Sequence, residues 1–114
     1  MTDRQPRRIS DRVASMVEQA IEGSSTASEV VYDVGMGGND SGPVLIISFW
    51  MPSPYLGQYV HVSAVLSNPA AVTQAEIDRL LPSALETMRE ERSKALRMAN
   101  GEKVTPPSSR EIDL

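Results

Sequence analysis

The hydrophobic residues of the chain follow a helical period near both ends and a strand period in between. Residues 10–22 carry one apolar stripe with a spacing of three or four residues, which predicts an amphipathic helix that ends at Gly23. Residues 29–34 and 58–66 alternate between apolar and polar, which predicts two strands that each bury one face. Residues 44–51 are apolar at nearly every position, a pattern typical of a central strand covered on both faces.

A second, longer helix is predicted over residues 73–100. Thr73 and Glu76 have the spacing of a capping box at its start, and the dipeptide Asn100-Gly101 supplies a stop at its end. Pro82 has no backbone N–H to donate and crowds the preceding turn. We therefore expect this helix to be kinked at Pro82.

Together these elements predict one α+β domain over residues 9–101, in the order helix–strand–strand–strand–helix. The expected fold is a three-stranded antiparallel sheet with both helices packed on one face. The 114 residues of the chain are enough for a single domain. Residues 1–8 are polar and basic, and we expect a flexible arm there. Residues 102–114 are polar and contain a Pro-Pro-Ser-Ser run, which predicts a disordered tail.

The distribution of charge limits what the sheet can bind. The formal net charge is −4, and residues 13–78 contain seven acidic residues and no Lys or Arg. A surface that follows a phosphate backbone needs clustered Lys and Arg. The central region, the sheet included, cannot supply such a cluster.

No pattern of residues predicts catalysis, a cofactor or a metal. The glycine-rich segment 35–42 precedes a strand, whereas phosphate-binding glycine loops open a helix, so we interpret it as a hairpin turn. His61 is the single histidine, and no second ligand stands at metal-binding spacing from it. We expect no enzyme activity and no small-molecule substrate.

The chain also lacks the features of an exported or membrane protein. It contains no cysteine, its start is polar, and its longest apolar stretch is too short to cross a bilayer. We expect a cytoplasmic protein that makes no membrane contact.

The most unusual segment is residues 49–59, which holds the only Phe, the only Trp and two of the three Tyr of the chain. Aromatic residues are often simply buried, but they also concentrate in protein–protein interfaces, and both interpretations stay open. As an interface, the segment would present Trp50, Met51, Tyr55, Leu56 and Tyr59.

The first functional hypothesis is a non-enzymatic protein–protein interaction or assembly module. Two helices cover only one face of a small sheet, and a second copy of the chain is the simplest cover for the other. We expect self-association to a dimer or higher oligomer, together with binding to another protein. Bacterial and phage accessory components include many small chains of this composition.

A second hypothesis rests on element order and turn residues. The glycines from Gly37 to Gly42, Pro69 after the third strand and the long charged last helix resemble YbaB-type nucleoid-associated proteins over residues 29–100. That family consists of DNA-binding dimers. The resemblance implies nucleic-acid contacts through basic residues near the two helices: Arg4, Arg7, Arg8, Arg12, Arg89, Arg92, Lys94 and Arg97. Double-stranded-RNA-binding domains share the element order but carry a basic signature where residues 74–78 read Gln-Ala-Glu-Ile-Asp.

Overall fold

The computed structural model describes residues 5–25, 27, 29–53, 58–104, 106 and 108–112, with side chains for all of these except 5–8 and 39. The described part of the chain contains two α-helices and four strands. In chain order they are α1 (Gln5–Glu22), β1 (Val31–Asn39), β2 (Gly42–Pro52), β3 (Tyr59–Leu66), α2 (Gln74–Ala99) and β4 (Arg110–Ile112). A short 3-10 turn, Pro69–Ala71, connects β3 to α2. The predicted mixed α+β class with two helices is confirmed.

The strands form one sheet in the order β1-β2-β3-β4. The first three strands pair antiparallel, as predicted, and β4 pairs with β3 in parallel. The expected three-stranded sheet is therefore corrected to a four-stranded one. The additional strand lies in the segment expected to be a tail, and its three residues, with Ile112 as the single apolar side chain, give no periodic signal.

The hairpin between β1 and β2 is tighter than the sequence predicted. Asn39 pairs with Gly42, so the glycine-rich segment continues the ladder and only residues 40 and 41 form the turn. Gly42 has a φ of +117°, a conformation that residues with a side chain rarely adopt. The chain can therefore reverse within two residues, and β1 extends along nearly the whole length of β2.

The two helices also differ in detail from their predicted form. α1 begins at Gln5, so residues 5–8 of the expected arm are helical, while residues 1–4 lie outside the described residues. α2 starts with the predicted capping box, in which the Glu76 N–H donates to the Thr73 hydroxyl at 3.3 Å and the Thr73 N–H donates to the Glu76 carboxylate at 3.1 Å. The helix is continuous from Gln74 to Ala99 with Pro82 inside it, so the kink expected at Pro82 does not divide it into two helices. Pro82 is exposed, so water can bond to the carbonyl that it leaves without a donor.

Both helices pack on the same face of the sheet, which we call the inner face. Alternate residues of the strands on this face join the apolar stripes of α1 and α2 in one core. The largest fully buried apolar side chains are Val13, Val17, Leu45, Ile47, Phe49, Val62, Ile77, Leu80 and Met88. β2 was expected to be covered on both faces, but the helices cover only its inner face.

Glu91 is a fully buried carboxylate that holds the C-terminal strand against α2. Its Oε1 accepts from the Ser108 backbone N–H at 2.9 Å and from the Ser108 hydroxyl at 3.3 Å. Its Oε2 lies 2.9 Å from Lys94 Nζ and 3.4 Å from Arg110 Nη1. Burial by itself would raise the pKa of this carboxyl, but hydrogen bonds from Lys94 and Ser108 outweigh burial, and the pKa of Glu91 is lowered. The ionised carboxylate thereby connects residues 108–112 to the helix.

Replacing Glu91 with Gln should lower the free energy of unfolding by about 2 kcal/mol, because hydrogen bonds to a charged acceptor are lost in a buried place. Urea unfolding at pH 7 measures the change. Glu90→Gln is the matched control, since Glu90 is exposed and pairs with Arg110 at the surface at 3.2 Å. The control should cost less than about 1 kcal/mol.

The free energies of unfolding of the parent chain and of Glu91→Gln should differ less at acid pH. Because the folded pKa of Glu91 is lowered, its stabilisation is complete above the unfolded carboxyl pKa of about 4.3 and disappears as the pH falls through the folded value. The gap between the parent chain and Glu91→Gln should therefore narrow towards acid pH. A gap of equal size at pH 7 and in strong acid would show that the side chain acts through packing alone.

Candidate interaction surface

The face of the sheet that points away from both helices is here called the outer face. Three central rows cross its strands, with the pair Pro52 and Tyr59 on one side of them and the pair Gly37 and Val44 on the other. Strand register places Val31 beside Trp50 and Trp50 beside His61, and the next two rows follow at two-residue intervals. The aromatic row is Val31, Trp50 and His61. The polar row is Asp33, Ser48, Ser63 and Glu111. The aliphatic row is Gly35, Ile46 and Val65.

Large apolar side chains are exposed on this outer face. Val31 is 54% exposed, Val65 42% and Ile46 36%, and Tyr59, next to the aromatic row, is 57% exposed. Among the described residues, four of the five exposed large hydrophobic side chains lie here, and the fifth, Leu96, lies on α2. Exposed apolar side chains gathered on one face are typical of an interaction surface.

The aromatic row is ordered by a ring stack. The rings of Trp50 and His61 lie 4.9 Å apart with an angle of 24° between their planes. They line a shallow groove of about 530 Å³ together with Val31, Tyr59 and Ser109. The His61 Nε2 atom is buried and has no hydrogen-bond partner among the described residues. The groove has apolar and aromatic walls with one imidazole and the hydroxyl-bearing side chains of Tyr59 and Ser109, a lining that can accept an inserted side chain.

The residues predicted to form an interface are divided between the two faces of the sheet. Trp50 and Tyr59 lie on the outer face, as an interface requires. Met51 lies in the core and is 2% exposed, because neighbouring residues of a strand point to opposite faces. Tyr55 and Leu56 lie outside the described residues.

Most of the apolar residues of the outer face did not stand out in the sequence. Val31 lies in a predicted strand but had no predicted function. Ile46 lies in a predicted strand that is apolar at nearly every position, so the pattern does not show that its side chain points outward. The available signal was Val65, an apolar residue at an outward position of an otherwise alternating strand. Register with the neighbouring strands is needed to see that Val65 and Ile46 are adjacent.

The polar row separates the two apolar rows. Asp33 and Glu111 lie at its ends and are exposed, while Ser48 and Ser63 lie between them and are half-buried. No Lys or Arg belongs to any of the three rows. The outer face therefore has two apolar rows, with serine hydroxyls between them and one acidic group at each edge.

Arg12, one of the predicted nucleic-acid contacts, has a structural role in the fold. Its Nη1 donates to the Val72 carbonyl at 3.0 Å, and its Nη2 donates to the carbonyls of Ala70 at 3.2 Å and Pro69 at 3.4 Å. The guanidinium thus holds α1 against the connection between β3 and α2. A side chain that makes these contacts has fewer donors left for phosphate.

The other predicted nucleic-acid contacts are mostly paired with carboxylates. Arg92 lies 3.4 Å from Glu29, Lys94 lies 2.9 Å from Glu91, and Arg97 lies 3.3 Å from Glu102. Arg89 is exposed. Arg4 and the side chains of Arg7 and Arg8 lie outside the described residues. The described cations therefore form no continuous basic surface.

A second depression, of about 590 Å³, lies between the end of α1 and the first turns of α2. The amide of Gln74, on its wall, already donates to the Met16 carbonyl at 3.0 Å and to the Asp78 carboxylate at 2.9 Å. The described residues contain no group of three or more His, Cys, Asp or Glu side chains that could hold a metal ion. Within the same residues, no helix has the length and hydropathy of a membrane span.

Comparison with known proteins found no relative of the chain. No family model, no curated protein and no solved structure matches the chain.

Proposed function

We propose that the protein is a non-enzymatic assembly module that self-associates by covering its outer face with a second copy of the chain. The observation that carries the proposal is the apolar surface formed by Val31, Ile46, Tyr59 and Val65 on the uncovered side of the sheet. Domains normally bury each apolar sheet face against another layer. Here both helices lie on the inner face, and the described residues leave the outer face without a layer.

A second copy suits this surface because it brings an apolar patch of the same size and shape. Homodimers most often use the same patch on both subunits, so one exposed surface is sufficient for a closed pair. The polar groups of the face also suit self-association, since the hydroxyls of Ser48 and Ser63 can each donate and accept a hydrogen bond. Asp33 and Glu111 lie at the edges, where their carboxylates can stay in water.

The size of the outer face sets the expected strength of the association. Four strands about 4.8 Å apart and three rows about 7 Å apart give a face of roughly 400 Å². Stable interfaces bury about 800 Å² on each partner. We therefore expect reversible, concentration-dependent association in the micromolar range or weaker.

Val65→Glu should weaken association without unfolding the chain. Val65 is exposed in the single chain, so the charge costs the monomer little, whereas in the dimer it would be buried without a partner. We expect the dissociation constant to rise by at least tenfold, measured by sedimentation over a concentration series.

Leu96→Glu is the matched control, because Leu96 is 50% exposed on α2, away from the outer face. It should leave the dissociation constant unchanged. A parent chain that sediments as a monomer at every concentration contradicts the proposed function, as does equal weakening by both variants.

The DNA-binding alternative predicts a different set of results. Micromolar binding to random duplex DNA, weakened steeply by salt, would support a nucleoid-associated dimer. The three ion pairs of Arg92, Lys94 and Arg97 and the carbonyl contacts of Arg12 weigh against it. The same protein samples that enter the sedimentation series can be tested for this binding.

A further inference from the structure

Glu91 is a buried carboxylate whose contacts come mainly from one short segment near the C-terminus. Its side chain is fully buried. Among the described residues, three of its four hydrogen bonds and ion pairs are made with Ser108 and Arg110, and the fourth is made with Lys94, on the same helix. Apolar residues can often replace a buried ion pair with no loss of stability, and the best-attested use of such a pair is to specify one arrangement. Glu91 is therefore placed to recognise a strand that carries matching donors.

The segment 108–112 supplies these matching groups. The Ser108 backbone N–H and hydroxyl donate to Oε1 of Glu91, and the Arg110 guanidinium donates to Oε2. Ile112 enters the core, and β4 pairs in parallel with residues 62–64 of β3. The edge of β3 thus holds a strand with this spacing of serine, arginine and isoleucine, and the addition of a strand to a sheet edge is a common mode of peptide recognition.

The bound segment can leave without unfolding the rest of the domain. Ile112 is the one core residue of β4, and segments with few buried apolar contacts open at a lower free energy than the core. Residues 102–107 connect the segment to the end of α2, and the described residues of this linker are mostly exposed. Departure of β4 uncovers the β3 edge and removes three of the four described contacts of Glu91, so the empty site favours a replacement strand.

We infer that two copies exchange these segments, so that residues 108–112 of each copy bind to the β3 edge and to Glu91 of the other. A second copy is the occupant because its sequence is the same, and the contacts that the segment loses on opening are regained in the exchanged pair. The exchange uses an edge of the sheet and a buried carboxylate, not the apolar rows of the outer face. It therefore goes beyond the proposed function and does not depend on it.

The linker sets the concentration at which a second copy competes. A segment tethered by a short flexible linker has an effective concentration of roughly millimolar at its own site. The parent chain should therefore keep its own segment at micromolar concentration and exchange it at roughly millimolar concentration. Two variants that each weaken their own site, but that can restore one site by exchange, should exchange at a lower concentration.

Mixing Glu91→Gln with Arg110→Glu tests the exchange. The first variant keeps the segment but loses the recognising carboxylate, and the second keeps the carboxylate but carries a segment that this carboxylate repels. In a mixed dimer one site regains the parent pair of Glu91 and Arg110, which neither closed chain contains, while the other site joins the altered segment to a neutral side chain. We expect the mixture to form dimers at a concentration at least about tenfold below that of either variant alone, measured by sedimentation.

Glu90→Gln mixed with Arg110→Glu is the matched control. Glu90 is exposed and also contacts Arg110, at 3.2 Å, but a chain with this change keeps its own buried site intact. Exchange would then restore one site and spoil the other, so this mixture should dimerise no better than its components. Adding Val65→Glu to both chains of the first mixture should leave its dimers unchanged, which separates the exchange from association through the outer face.

A labelled synthetic peptide of residues 104–114 tests the site itself. The peptide should bind to the Arg110→Glu chain, whose own segment is repelled, at least about tenfold more tightly than to a chain that carries both Glu91→Gln and Arg110→Glu. Fluorescence anisotropy measures the binding, and circular dichroism should show the helix content of the parent chain in every variant.

Equal binding of the peptide to both chains, or no binding to either, overturns the inference. A mixture of Glu91→Gln and Arg110→Glu that stays monomeric while the peptide binds also overturns it, because the copies would then not exchange the segment. A parent chain that is monomeric at every micromolar concentration, together with a mixture that dimerises, contradicts the proposed function and leaves the exchange standing.

Discussion

Both helices of this domain lie on one face of a four-stranded sheet, and the rest of this structure follows from that arrangement. α1 and α2 both lie on the inner face, where they bury Phe49 and its neighbours in one core. The outer face keeps apolar residues that a solvated sheet face would replace with polar ones. A small domain has a small free energy of unfolding, so apolar surface that stays in contact with water is unfavourable for it. Self-association is the way to meet this constraint that needs no additional component.

The buried carboxylate of Glu91 attaches the strand that protects the β3 edge of the sheet. β4 is too short and too polar to be held by hydrophobic burial, since Ile112 is its single core residue. Hydrogen bonds from Ser108 and ion pairs with Lys94 and Arg110 supply the missing attachment. The resulting strand protects the β3 edge, while β1, at the opposite end of the sheet, has no strand beside it in the described chain. Edge protection therefore comes from within the chain, whereas coverage of the outer face depends on the proposed self-association.

The sequence was sufficient for the parts of the fold that depend on periodicity. The helical stripes, the capping box at Thr73 and the alternation of β3 were all visible along the chain. β4 was not, because it depends on one buried carboxylate contacting residues 17 to 19 positions away, and no local pattern encodes that contact. The candidate surface was predicted in part: Trp50 and Tyr59 are on the outer face, but Met51 is in the core. Ile46, Val65 and Gly35 become neighbours only through strand register, which a sequence read residue by residue does not give.

The most direct measurement of the central claim uses Trp50, the only tryptophan in the chain and a member of the aromatic row. Its fluorescence reports how much water reaches the outer face. If a second copy covers that face, dilution should shift the emission of Trp50 to the red, with the same midpoint concentration as the fall in sedimenting mass and with helical circular dichroism unchanged. An emission maximum that does not move between concentrations at which the mass changes would contradict the account, because the copies would then meet somewhere else.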